Sequence, residues 1–405
     1  AMGIARDSPE RIRAACIYYL KEQSEKNGHV YYPLKDYIPG VQVWLNEERS
    51  EAEEKIFIDE ELIKRQTLEL AEEGKLILEE DRLYLPTLFF AERGFAKKIK
   101  ELLLYAPKRE LNQEEFYAAL GQLEERLGIE YAPSQKEAIE CALRSSLMIL
   151  TGGPGTGKTT VIRGLCELYG ELNELSLDPK DYLEREEPYP LLLVAPTGRA
   201  AKRLSEATGL PAVTIHRLLG WKGGSVFEHD EDTPLKGRLL IVDEMSMVDQ
   251  WLGNQLFRAL PEDIQVGLVG DEDQLPSVGP GQVLKDLLAA QRIPVVEVKE
   301  IYRQAAGSSI VTLAHHMKQG ELPENISQPM PDRRFFSCSA EDVVDVVKRI
   351  YASALRRGYT TKDIQVLAPM YKGVAGIDAI NKALQEEINP MEKGKRQLAY
   401  GEQIF

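Results

Sequence analysis

Alternating strand-like and helix-like segments between residues 131 and 298 predict an α/β fold, a parallel sheet built around a phosphate-binding loop. Three observations carry this. Candidate strands of four or five mostly apolar residues recur at 146–150, 191–195, 239–242, 265–269 and 294–298. Segments of helical period lie between them. Several of the runs end in turns rich in Gly, Thr or Asp, at the edge where open parallel sheets bind ligands. A shorter pattern at 299–405 predicts a partial second lobe. A small winged-helix-like α+β module at 8–95 is expected before the sheet, joined to it by a helical linker at 96–130.

Taken in order, residues 1–7 read as tag or linker, with Ala1-Met2-Gly3 resembling a cloning remnant. Ser8-Pro9-Glu10-Arg11 is a helix start, with Ser8 as N-cap and Pro9 in the first position. His29–Pro33 is short and aromatic and is expected to be extended. A second helix is expected from Asp59 to Glu73, stopped by Gly74. Leu76 to Leu85 reads as a hairpin with an acidic turn, so helices followed by a wing define the module. Such units bind DNA or contact proteins, and this one is acidic. Phe95 to Leu127 is charged, helical and poor in proline. Ser134 is expected to cap the helix through Arg144 that opens the α/β lobe.

Within that lobe, Glu171–Pro190 reads as a surface insertion and Lys222–Gly237 as a small hairpin. Beyond Arg303, helices are expected at 310–318, 340–357 and 377–388. An extended segment is expected at 334–337 and a strand at 364–367.

Composition narrows the function classes. The 405 residues are 43% hydrophobic and 28% charged, as in soluble globular proteins, and suffice for two or three domains. No apolar run approaches the ~20 residues that span a bilayer, and no signal-like N-terminus is present, so a cytoplasmic protein is expected. Cys16, Cys141, Cys166 and Cys338 are scattered without a C-x-x-C pair, which disfavours a zinc or iron–sulfur site and favours reduced thiols. A net charge of −15 argues against general electrostatic coating of nucleic acid, so any such binding needs a specific cleft.

Chemistry is concentrated in five blocks. Leu147–Leu150 leads into Gly152-Gly153-Pro154-Gly155-Thr156-Gly157-Lys158-Thr159-Thr160 and then a helix, the strand–loop–helix of a phosphate-binding loop. Its glycines allow backbone N–H groups to cradle phosphate oxygens, Lys158 would reach the outer phosphates and Thr159 would hold Mg²⁺. Leu239–Val242 ends in Asp243-Glu244, where Asp243 would hold Mg²⁺ and Glu244 would polarise the attacking water. In Gly270-Asp271-Glu272-Asp273-Gln274, the Gln274 amide lies past a strand end and is suited to sensing a γ-phosphate. Arg303, in Ile301-Tyr302-Arg303-Gln304, is a candidate for stabilising charge on the transferring phosphoryl group, although a surface arginine is the ordinary explanation. Pro196-Thr197-Gly198-Arg199 repeats the strand–turn–helix pattern, with Lys202 and Arg203 adding charge; Thr214-Ile215-His216 follows. Taken alone, His216 reads as a structural hydrogen-bonder.

The order and wording of these blocks resemble the RecD-like branch of superfamily-one helicases. The matching stretches are PSQKEAI, GGPGTGKTT, APTGRAAKRL, TIHRLLG, VDEMSMVD, GDEDQLPSVGPGQVLKDL, IYRQ and LAPMYKGVAGIDAINKALQEEINP. The resemblance covers Ser134 to Pro390, and HVYYP with DRLYLPTLFFAERGFAKKI is similar to the segment before the motor in the long, free-standing bacterial RecD type.

That resemblance implies a RecA-like first lobe at 131–298, a partial RecA-like second lobe at 299–405, and a monomeric, DNA-stimulated ATPase using ATP and Mg²⁺. It implies 5′-to-3′ movement on single-stranded DNA, unwinding at single-strand/duplex junctions, and DNA repair proteins as partners in repair or recombination. Gln135 matches the adenine-reading glutamine, and Lys158, Thr159, Asp243, Glu244, Gln274 and Arg303 match ATPase residues. Pro196, Thr197, Arg199, Thr214 and His216 fall in motifs lining the strand groove, as do Tyr371 and Lys372 in the second lobe. Lys222–Gly237 stands where the family has a strand-separating pin.

The late motifs of the second lobe and the front-end modules of longer relatives are not found. The chain is therefore expected to read as a fragment that binds nucleotide yet hydrolyses and unwinds poorly. A nucleotide-dependent scaffold in a repair complex, without unwinding of its own, is the alternative. A P-loop ATPase or kinase acting on another substrate would leave TIHRLLG and QLPSVG without a role, and RNA is a lesser candidate for the track.

Overall fold

A computed structural model describes residues 7–47, 57–105, 111–299 and 308–388. The chain divides into two compact units, 1–307 and 308–405.

The first unit begins with α1 (Pro9–Asn27), β1 (Tyr31–Pro33), α2 (Leu34–Glu47), α3 (Glu60–Glu72), β2 (Ile77–Glu79) and β3 (Arg82–Tyr84). The strands form an antiparallel sheet in the order β1-β3-β2. Helix–strand–helix–helix–hairpin is the winged-helix-like arrangement expected. Ser8 caps α1 by accepting from the Arg11 N–H (3.2 Å). The module closes on Ile12, Cys16, Leu20, Tyr37, Val41, Ile63 and Leu83, all buried.

Two helices follow, α4 (Pro86–Tyr105) and α5 (Gln113–Leu127). The first is more than a linker. It lies along the motor core, with Phe95 edge-on to Phe257 at 4.6 Å and the Ala91 carbonyl accepting from Gln250 Nε2.

The motor lobe runs through α6 (Pro133–Arg144), β4 (Leu147–Thr151), α7 (Lys158–Leu172), α8 (Pro179–Glu184), β5 (Leu191–Ala195), α9 (Gly198–Thr208), β6 (Ala212–Thr214) and α10 (Ile215–Leu218). It continues with β7 (Leu239–Val242), α11 (Gln250–Arg258), β8 (Gln265–Gly270), α12 (Val283–Ala290) and β9 (Val295–Glu297). Six parallel strands stand in the order β6-β5-β7-β8-β4-β9. Every residue of β4, β7 and β8 is buried, as expected of central strands covered on both faces. Two apolar clusters, one including Leu150, Ile162 and Ile241 and the other Ile149, Val242 and Leu268, hold the lobe together. This is the α/β, RecA-like parallel-sheet fold.

Three local expectations change. α6 is capped at Ala132, not Ser134, because Gln135 Oε1 accepts from the Ala132 N–H (3.0 Å). The 171–190 segment carries α8 and buries Tyr182. In 222–237 the expected hairpin shrinks to one antiparallel bridge, Gly223 with Val226.

The second unit contains α13 (Ser309–Lys318), α14 (Val343–Arg356) and α15 (Ile377–Ile388). Residues 334–337 and 364–367 carry no strand ladder. A strand exists only where a neighbour satisfies its N–H and C=O groups, and among the described residues of this unit there is none.

Candidate nucleotide site

β4 delivers the chain to the C-terminal edge of the sheet, where Gly152–Gly157 turns back into α7. Glycine is required by space at Gly152, where a Cβ would lie 2.6 Å from the Val298 carbonyl oxygen and 2.9 Å from Thr156 Oγ1. It is required by conformation at Gly157, whose φ of 83° is left-handed and which caps α7. A loop of this kind ending on a fifteen-residue helix offers several N–H groups and the positive end of a helix dipole to an anion.

Lys158 opens α7 and folds its ammonium back over the loop, donating to the carbonyls of Gly152 (2.5 Å) and Gly153 (3.1 Å). Burial lowers its pKa, against the opposing fields of Asp271, Asp243 and Glu244. Thr159 and Thr160 are half-buried in the first turn. Thr156 Oγ1 donates to the Gly153 carbonyl (2.8 Å), and the Gln135 amide donates to the Thr156 carbonyl (3.1 Å). Gln135 is fully buried, so it splints the start of α6 to the loop.

Asp243 and Glu244 follow β7. Burial is the main cause that pushes the Asp243 carboxyl up to about 6, with Glu244 adding to it and the Glu244 N–H bond opposing. Glu244 adopts a left-handed φ of 54°, which costs a non-glycine residue roughly 1–2 kcal/mol. Such a conformation persists only where the surroundings enforce it; here it falls between a fully buried strand and the 3₁₀ turn Met245–Met247.

Asp271 directly follows β8 and is 4% exposed. It accepts from the Asp273 N–H through Oδ1 (3.2 Å), and its carbonyl accepts from the Gln274 N–H (3.2 Å). Asp271 heads the charges acting on Lys158, yet the sequence reading gave a role in this block to Gln274 alone. Its signal was available: an acidic residue one step past a fully buried strand, the position Asp243 holds one strand away. Gln274 is half-buried beside Ser246, Gln282 and Lys285, lining a cleft of about 240 Å³.

The site is fit for a nucleotide with Mg²⁺. A desolvated carboxylate at Asp243 and the Thr159 hydroxyl are oxygen donors, and a magnesium ion usually takes one or two protein oxygens plus phosphates.

Beside β7, β5 and β6 pair with Ala195 opposite Thr214, which sets Pro196–Arg199 beside Thr214–His216. Thr197 caps α9 by accepting from the Ala200 N–H, and Thr214 caps α10 by accepting from the Arg217 N–H, both at 3.2 Å. Arg199, Lys202 and Arg203 are exposed. His216 is no simple hydrogen-bonder; its ring packs edge-on to Trp221 and tilted against Phe227. Tyr371 and Lys372 are exposed in the second unit, where the Tyr371 carbonyl accepts from the Asp378 N–H. Arg303 lies outside the described residues.

A family model described as an AAA domain matches residues 135–280. A second, described as the ATP-dependent RecD2 DNA helicase HHH domain, matches residues 1–31, which the sequence reading had assigned to the winged unit and the tag before it. The chain is 33% identical over 410 aligned residues to the ATP-dependent RecD2 DNA helicase of Deinococcus radiodurans, covering 99% of this chain and 52% of that protein. The chain is thus RecD-like in sequence over nearly all of its own length. Other RecD relatives align over less of their length. The RecBCD enzyme subunit RecD of Mycobacterium tuberculosis is 38% identical over 207 residues, 46% of this chain and 34% of that subunit. The RecD subunit of Mycolicibacterium smegmatis is 32% identical over 283 residues, 62% and 49% respectively. This chain thus spans about half the length of its RecD2 relative.

Proposed function

We propose that this RecD-like chain is the ATP-hydrolysing part of a DNA helicase that moves 5′-to-3′ on single strands and opens duplex at junctions. The convergence of Lys158, Asp243, Glu244, Asp271 and Gln274 on the loop end of one sheet carries the reading. The loop and Lys158 would bind the phosphates, Thr159 and Asp243 would hold Mg²⁺, and Gln135 would read adenine. The Mg²⁺ would neutralise phosphate charge. Glu244 would hold the attacking water in line and take its proton, while Gln274 would report the γ-phosphate. Arg303 would complete the site, and the Pro196–Arg199 and Thr214–His216 turns, with Tyr371 and Lys372, would track the strand.

The expected setting is a monomer in the cytoplasm, acting with DNA repair proteins. Slow hydrolysis and weak unwinding are expected of residues 1–405 taken alone. Unwinding of 5′-tailed against 3′-tailed duplexes tests the reading, with Lys158→Ala as control. Preference for the 3′ tail contradicts the polarity. Nucleotide binding with no response to any DNA favours the scaffold.

A further inference from the structure

Trp221 stands at the foot of the 222–226 turn and is 53% exposed, an unfavourable place for a large indole. Its ring is nevertheless fixed. Nε1 donates to the Gly224 carbonyl (2.9 Å), and the turn is closed by Lys222 N–H to the Val226 carbonyl and Val226 N–H to the Gly223 carbonyl. Behind it runs an aromatic series: His216 edge-on at 5.6 Å and 77°, then Phe227 at 6.1 Å from His216, then Trp251 at 5.6 Å from Phe227. An edge-on neighbour covers less of a ring than a stacked one, so a held π surface stays open to solvent.

Charge around the ring also has a direction. Four of the acids in 228–249 are engaged, Glu228 with Lys222 (3.4 Å), Asp230 with the Asp232 and Thr233 N–H groups, Glu231 with Arg258, and Asp249 with the Leu252 N–H, while Asp232 is exposed. Arg217 is exposed one turn away, and β5–β6 pairing places Arg199 on the same side of the sheet. A rigid aromatic surface flanked by cations suits a nucleobase stacked on the ring with its phosphates beside it. We infer that Trp221 is a base-stacking platform for single-stranded nucleic acid, holding one base at the foot of the pin-like turn. This rests on the strand-tracking reading of the sheet edge above.

The test is titration of the 405-residue chain with oligo-dT at several salt concentrations. Trp221→Ala is expected to weaken binding about tenfold with the salt slope unchanged, because a stacking contact and no phosphate contact is lost. Trp221→Phe keeps most of the affinity. With Trp44→Phe and Trp251→Phe combined, the remaining indole is expected to be quenched as dT binds, a readout independent of whether Trp221→Ala folds. Wild-type binding with unchanged Trp221→Ala affinity and no quenching overturns the inference and leaves the strand reading intact; that result would suit an apolar protein partner. Absence of dT binding by the wild-type chain at low salt overturns both.

Discussion

The two halves of the sheet edge are built from opposite materials. At β4, β7 and β8 the groups are buried: Lys158 is desolvated, Asp271 is 4% exposed and Asp243 is pushed up to about 6. At β5 and β6 the threonines spend their hydroxyls as helix caps, and the charges, Arg199 and Arg217, face water. The first half is suited to fixing a small, highly charged group in one pose, because charge interactions strengthen where water is excluded. The second is suited to a long polymer that must be released at each step, since exposed cations give modest, salt-screened attraction.

The sharpest way to break this contrast is Glu244→Gln. If Glu244 handles the attacking water, hydrolysis should fall by roughly 10²–10⁴-fold while nucleotide binding persists, read by single-turnover ATPase and fluorescent-nucleotide titration. Equal loss of binding would make Glu244 a structural residue.

Gly152→Ala probes the packing side. A methyl there meets the Val298 carbonyl and Thr156 Oγ1, so a cost of about 1–3 kcal/mol and a melting temperature lower by several degrees are expected, with weakened nucleotide binding. An unchanged melting curve would show that the loop relaxes freely.

Asp243 ties the contrast to pH. Its folded carboxyl holds a proton more tightly than the unfolded chain does. Its contribution to stability is therefore full below pH about 4, is lost as pH rises from there to about 6, and is level above. Asp243→Asn should accordingly stabilise the nucleotide-free protein at pH 7 by about 1–3 kcal/mol while abolishing the Mg²⁺ dependence of nucleotide binding. In the wild type, that Mg²⁺-dependent affinity should weaken as pH falls through about 6. Denaturant melts and nucleotide titrations from pH 5 to 8 measure both.

The smallest effect belongs to the exposed half. Arg199→Ala should weaken single-strand binding a few-fold and lower the salt slope by about one, with nucleotide affinity unchanged. A change in nucleotide affinity would show that the two halves are not separable.

Much of this was legible in the sequence. The strands at 191–195 and 239–242 appear at those bounds, because buried parallel strands are written as unbroken apolar runs. β6 escaped notice: it is a three-residue, half-buried edge strand, too short for any period. α2 was hidden by Pro39 and Gly40 inside it, breakers by propensity that are tolerated because the helix packs Tyr37 and Val41 into the module core. The phosphate loop and its carboxylates were readable as spacing. What spacing does not encode is which charges meet across strands, so the pairing of Asp271 with Lys158 and the Trp221 aromatic series needed the fold.

The most direct test of the central claim is the steady-state ATPase rate of this chain with and without single-stranded DNA. A rise of tenfold or more on adding oligo-dT, absent in Lys158→Ala, is the predicted result. A rate that is measurable, dependent on Lys158 and indifferent to DNA would contradict the account.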